Sequence, residues 1–132
     1  MKMILINPYL QTIDEINWKV EWDYTEIYKL IDCETFAWVD LDIRGNGMYV
    51  DDEGLLSLKR DDNDELEQQF FQVRDSHGYR HTIAGSALVL STDKMTGETI
   101  GTDLDVEYIK LQIDFLDKND NKLLGGENNE NR

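Results

Sequence analysis

The stretch TFAWVDLDIRGNGMYV, residues 35–50, limits the possible folds more than any other part of the chain. Val39, Leu41 and Ile43 alternate with Asp40 and Asp42, the pattern of a strand with one dry and one wet face. A Gly-Asn-Gly turn follows. Asn46-Gly47 reads as its tight-turn dipeptide because both positions tolerate positive φ, and MYV then runs back along the first strand. A hairpin with a dry face must be covered by something else, and the rest of the chain supplies candidates.

MILIN (3–7) and TIDEINW (12–18) flank an Asn-Pro turn and predict a second hairpin. FFQV and SALVLST predict further strands, with Gly85 before the latter allowing close backbone approach. WDYTEIYKLIDC predicts a helix. Asp23 is placed to cap it, Glu26 to reach back and Trp22 to staple against Ile27, with Ile27, Leu30 and Ile31 as the buried stripe and Tyr24 and Tyr28 at its margin. Residues 51–69 are polar, and KRDDNDELEQQ within them reads as a solvated loop or short helix. DVEYIKLQIDFL (105–116) fits two patterns. Ile109, Leu111, Ile113 and Phe115 alternate as in a strand, whereas Val106, Ile109, Ile113 and Leu116 make a helical stripe that Thr102 and Asp105 would start.

These elements predict an α+β fold, a small mainly antiparallel sheet of about five or six strands with one or two packed helices. A length of 132 residues, 40% of them hydrophobic, suits one domain, assigned to residues 1–118, with 119–132 as a polar, mobile tail. Trp22, Ile27, Leu30, Val39, Leu41, Leu88 and Leu90 are the expected core. The lone Cys33 cannot form an internal disulfide, and no leader or membrane-length apolar run is apparent, so a cytosolic setting is expected.

The charge is unusual. There are 28 acids against 13 Lys plus Arg, a net charge of -15, and residues 21–67 alone hold 15 acids and four bases. Such a field repels phosphate backbones and anionic lipid, so neither direct nucleic-acid binding nor membrane binding is expected. A partner with a basic face is favoured. Simple solubility is the plainer reading of the same acidity.

No stretch carries a catalytic motif. Asp51, Asp52 and Glu53 offer oxygens for a hard cation, but neighbours on a strand point to opposite faces, so a strand end and turn is the preferred reading. DKNDNK (117–122) begins like a calcium loop, with Asp117, Asn119 and Asn121, and then breaks: Lys122 stands where Gly is required and Asn128 where the closing Glu belongs. His77 and His81 lie four apart, with Gly78 between them and only Asp75 or a distant acid as a third ligand, so no metal is assigned. Cys33 reads as a small buried side chain at a helix end, and Ser86 in AGSAL lacks the setting of a nucleophile elbow. No catalytic residue and no cofactor is expected.

MILINP, YTEIYKLIDCETFAWVDLD, GMYVDDEGLL, IAGSALVLSTD and DVEYIKLQIDFL, in that order, resemble a family of small phage and mobile-element proteins known only as a domain of unknown function. The resemblance spans residues 3–116, and YVDDEGLL after a helix ending in LIDC is its most telling part. KRDDNDELEQQ and the tail from Asp117 are less typical. It implies an α+β fold, tips 105–116 toward helix, reads YVDDEGLL as a turn signature, and suggests a genomic setting like that of small anti-restriction proteins.

Two functions follow as expectations. The first is a non-enzymatic interaction protein that inhibits a host nucleic-acid-binding defence protein through a DNA-mimic-like acidic face of Asp40, Asp42, Asp51, Asp52, Glu53, Asp61, Asp62, Asp64 and Glu65. The second is a binder that sequesters a small molecule or nucleotide signal, using Arg44, Arg74, His77, Tyr79, Arg80 and His81 as anion contacts, with Trp38 or Tyr79 stacking. Exposed sheet edges also make a homodimer conceivable.

Overall fold

The computed structural model describes residues 1–19, 21–53 and 58–116. Nine strands and two helices follow one another as β1 (Lys2–Asn7), β2 (Thr12–Asn17), α1 (Thr25–Ile31), β3 (Phe36–Asp40), β4 (Asn46–Asp51), β5 (Phe70–Arg74), β6 (Arg80–Ala84), β7 (Ala87–Thr92), β8 (Thr99–Ile100), α2 (Val106–Gln112) and β9 (Ile113–Phe115). The larger sheet runs β2-β1-β7-β4-β3, with β8 also pairing with β7, and the smaller one runs β6-β5-β9. All of these pairings are antiparallel.

This corrects the expected α+β fold. The molecule is β-rich, with two antiparallel sheets and two helices of only seven residues each. The difference arises where the sequence was least decisive. β6 begins with the polar Arg80 and His81, β8 is two residues long, and residues 105–116 satisfy both of their patterns in turn. Residues 106–112 are helical and bury Ile109, and Ile113–Phe115 then extends to pair with β5, setting Ile113 opposite Val73 and Phe115 opposite Phe71.

Alternation along the central strands builds two cores. Ile4, Ile6, Met48, Val50, Ala87 and Val89 cluster with Phe71, Val73, Ile83 and Ile113 of the smaller sheet and with Ile109 of α2. Their neighbours Met3, Leu88 and Leu90 cluster with Ile27 and Ile31 of α1, while Phe36, Trp38 and Tyr49 pack at the margin. The larger sheet is thus a middle layer, which is why ALVLS in β7 is buried without a break. Each fully buried Val, Leu, Ile, Met or Phe among these contributes about 1.5–3 kcal/mol.

Of the expected core, Ile27, Leu41, Leu88 and Leu90 are buried, and Leu30 and Val39 pack against the clusters. Trp22 is half-buried and meets Trp18 edge-to-face at 5.3 Å in place of the expected staple to Ile27. Glu26 pairs with Lys29, and Asp23 acts just ahead of the helix, where its Oδ1 accepts from the Thr25 amide and hydroxyl. The tail and DKNDNK lie outside the described residues.

Candidate functional site

Much of the acidity is turn chemistry. Three hairpin loops are built alike on a leading aspartate. Oδ1 of Asp42 accepts from the amides of Arg44 and Asn46, Oδ1 of Asp61 from Asn63 and Glu65, and Oδ1 of Asp75 from His77 and Tyr79, all at 2.8–3.0 Å. In each loop the fourth residue takes positive φ: Gly45 at 107°, Asp64 at 62° and Gly78 at 86°. An aspartate there satisfies two amides that the tight turn would otherwise leave bare. KRDDNDELEQQ is accordingly a small hairpin loop, with Arg60 bridged to Leu66.

The first of these loops also moves the expected turn. Asn46 and Gly47 belong to β4, and the chain reverses through 42–45. Leu41 is buried as expected, but Ile43 is exposed and Asp42 turns inward, so the forecast alternation ends at Asp40. Gly85 is likewise required by a φ of 89° and not by close packing.

Asn46, 2% exposed, is the hub of a polar clamp. Its Nδ2 donates to Asp42 Oδ2 at 2.8 Å and to Asp103 Oδ1 at 3.0 Å, and its Oδ1 accepts from the buried Thr102 hydroxyl at 2.6 Å. Arg44 bridges both carboxylates, at 2.7 Å from Asp103 and 3.5 Å from Asp42. Burial would raise the Asp42 pKa, but donors from the Asn46 side chain and backbone and the Arg44 backbone and charge outweigh it and hold the carboxyl below its ordinary value.

At the opposite end of the larger sheet lies a cleft of about 540 Å³. Four separated parts of the chain bring carboxylates and a tyrosine to it: Tyr9 after β1, Asp32 and Glu34 after α1, Asp51 and Glu53 at the end of β4, and Glu67 before β5. Lys59 is the single base among its lining residues. Burial, reinforced by the Asp32 and Asp51 charges, raises the Tyr9 phenol above its usual value.

Cys33 lines the same cleft, and burial, with Asp51 and Asp32 adding to it, pushes its thiol up to about 11. At neutral pH it is therefore a protonated, weak nucleophile. Its alkylation by iodoacetamide at pH 7.5 is expected to be at least about tenfold slower than for an ordinary exposed cysteine, rising about tenfold per pH unit toward 11. A rate matching free cysteine at pH 7.5 would contradict this environment.

The nine acids expected to share a face are divided. Asp51 and Glu53 reach the cleft. Asp42 and Asp61 serve their turns, Asp40 accepts from Trp38 Nε1 at 2.7 Å, and Asp52, Asp62 and Asp64 are exposed, with Glu65 partly so. The question raised by Asp51-Asp52-Glu53 is resolved toward a strand end: Asp51 Oδ1 accepts from the Glu53 amide, and the Asp52 amide donates to the Thr35 carbonyl. Among the described residues no three of His, Cys, Asp and Glu stand together as a metal site.

Arg74, His77, Tyr79, Arg80 and His81 share the β5–β6 hairpin, but each charged group is turned to a local partner. Arg80 pairs with Asp114 at 2.9 Å, His81 Nε2 lies 2.8 Å from Asp75 Oδ2, Arg74 donates to the Gly78 carbonyl, and His77 Nδ1 lies 3.4 Å from Ser76 Oγ. Asp75 is held below the ordinary carboxylate range by the His81 hydrogen bond and the amides of His77 and Tyr79. Arg44 belongs to the clamp, and none of these six residues lines the cleft. Sequence reasoning missed Tyr9, Asp32, Glu34, Lys59 and Glu67 as a group. The acids flanking YVDDEG were visible, but nothing local links them to Tyr9.

A family model described as a domain of unknown function, DUF3846, matches residues 1–114. The chain belongs to the DUF3846 family. The match takes in the clamp and every residue that lines the cleft, so both lie within the DUF3846 domain. No curated protein and no solved structure matches the chain. Among the described residues no helix is long and apolar enough to cross a membrane.

Proposed function

We propose that this DUF3846 protein is a non-enzymatic interaction protein whose acidic cleft receives basic side chains from the surface of a partner. The observation that carries this reading is the gathering of Asp32, Glu34, Asp51, Glu53 and Glu67 around a concave site with Lys59 as its one base. A lysine or arginine entering there would have carboxylates from several parts of the chain within its reach. The net charge of -15 would speed encounter with such a surface and make it salt-sensitive.

Nucleic-acid-binding proteins present basic surfaces of this kind. A host defence protein of that class, countered by a phage or mobile-element product, is the target we favour. The sequestered nucleotide has less support, because the candidate anion contacts are engaged with neighbouring groups and do not converge on the cleft.

The test is capture of partners on tagged protein with elution by stepped salt, beside a Glu34→Gln, Glu53→Gln, Glu67→Gln variant. Asp51 is spared because it holds a turn. The expected result is a nucleic-acid-binding protein released by moderate salt from the wild type and retained at least about tenfold less by the variant. Equal retention by both would refute the cleft as the binding site.

A further inference from the structure

The edge of the larger sheet offers a second means of holding a partner, and its backbone parity can be read from two hydrogen bonds. The Asp52 amide donates to the Thr35 carbonyl at 3.1 Å, and the Leu41 amide donates to the Asn46 carbonyl at 2.9 Å. Between them the register pairs Phe36 with Asp51, Trp38 with Tyr49 and Asp40 with Gly47. Hydrogen-bonded and non-bonded pairs alternate in an antiparallel ladder. Ala37 and Val39 therefore bond to β4, while the N–H and C=O groups of Phe36, Trp38 and Asp40 point away from it. Among the described residues β3 pairs with no other strand and no hydrogen bond reaches these outward groups.

Folded proteins usually blunt such an edge with charge, brevity or a cover. The other edges follow that habit: β2 carries Asp14 and Glu15, β6 carries Arg80 and His81, and β9 has three residues centred on Asp114. β3 reads Phe-Ala-Trp-Val, uncharged until Asp40. Its apolar side chains are only partly buried, with Ala37 and Val39 against one core and Phe36 and Trp38 against the other. An added strand would extend both.

The surroundings select the occupant. Glu34 precedes the strand, Asp40 ends it, and Asp51, the partner of Phe36, lines the cleft together with Glu34. The open edge thus starts at the cleft. A second copy of a chain with net charge -15 would bring acids against acids there.

We infer that β3 captures an extended peptide of alternating small apolar residues with basic ends, which adds as a sixth strand to the run β2-β1-β7-β4-β3 and places a lysine or arginine in the acidic cleft. The basic end rests on the reading of the cleft given above; the strand addition rests on the edge alone.

The probe is a fluorescein-labelled synthetic peptide of alternating valine and threonine with two lysines at each end, and a matched peptide with glutamates serves as control. Binding is read by anisotropy and amide exchange by NMR. Asp40→Pro removes an outward N–H that bonds to nothing among the described residues, and Asp40→Ala loses the same carboxylate, with its bond from Trp38, but keeps that N–H. The proline variant is expected to bind the lysine peptide at least about tenfold more weakly than the alanine variant. Saturating peptide is expected to slow exchange at Phe36, Trp38 and Asp40 at least about tenfold, because the amides become hydrogen-bonded.

Failure of the wild type to bind the lysine peptide, or binding with these three amides unprotected, overturns the inference. Protection that appears with rising protein concentration and no peptide assigns the edge to a second copy and also overturns it. The two readings separate in the Glu34→Gln, Glu53→Gln, Glu67→Gln variant. Binding lost there with edge amides never protected in the wild type leaves the cleft standing without the edge. Protected amides with unchanged affinity leave the edge standing without the cleft.

Discussion

Gly47→Ala is expected to lower the unfolding free energy by about 3 kcal/mol, at the upper end of the cost of overpacking. A Cβ at this position would lie 2.3 Å from Cζ2 of Trp38, 2.6 Å from its Cε2 and 2.7 Å from the Val39 carbonyl oxygen. The indole is poorly placed to retreat. Its Nε1 donates to Asp40 at 2.7 Å and its ring meets Tyr49 at 5.2 Å, while the carbonyl belongs to the backbone of the paired strand. Gly78→Ala provides the comparison. Nothing lies within 4 Å of its Cβ, so the cost there is confined to the positive φ of 86°, about 1–2 kcal/mol. Urea denaturation of the two variants checks the ranking. A Gly47→Ala loss no larger than that of Gly78→Ala would mean that Trp38 does not pin the β3–β4 pair.

Asn46→Ala is expected to cost about 2–4 kcal/mol, because it strips partners from several groups at once. Asp42 Oδ2, Asp103 Oδ1 and the Thr102 hydroxyl all bond to this one amide, and Asn46 and Thr102 are themselves buried. Thr102→Val removes the donor from the other side and should cost about 1–2 kcal/mol. The double variant should lose less than the sum by about 1 kcal/mol, since one bond is shared. Strict additivity in denaturant titrations would show that the two residues act separately.

The clamp also sets a pH dependence. The folded-state pKa of Asp42 lies below its unfolded value of 3.8, so its contribution is complete above that value and is lost as pH falls through the folded pKa. Asp42→Asn should therefore lower stability at neutral pH and flatten the decline below about pH 4.

The β1–β2 and β3–β4 hairpins and the first helix were legible because short-range pattern decides them. Alternation in MILIN, TFAWV and SALVL, and the 3.6-residue spacing of Ile27, Leu30 and Ile31, survive in the structure. The division into two sheets was not legible. Whether Ile113–Phe115 continues a helix or extends depends on β5 being beside it, and no property of residues 105–116 alone reports that. The β3–β4 turn was placed too late because Asn-Gly is a favoured pair for a tight turn, whereas Asp42 and Gly45 together build a competing loop with two side-chain bonds.

The candidate site shows the same division. A surplus of acid in residues 21–67, and the negative field it sets up, is a property of composition that no fold can cancel. Which acids act together is a different matter. Asp42 and Asp61 are spent on turns, while Asp32, Glu34, Asp51, Glu53 and Glu67 meet at one cleft from distant parts of the chain. The sequence by itself determined β1 to β5, β7 and α1 and the sign of the field, since these are set by neighbouring residues and summed charge. Only the tertiary structure decided the layer order, the open β3 edge and the membership of the cleft. Each of these depends on strand pairings between residues tens of positions apart, which local pattern does not encode.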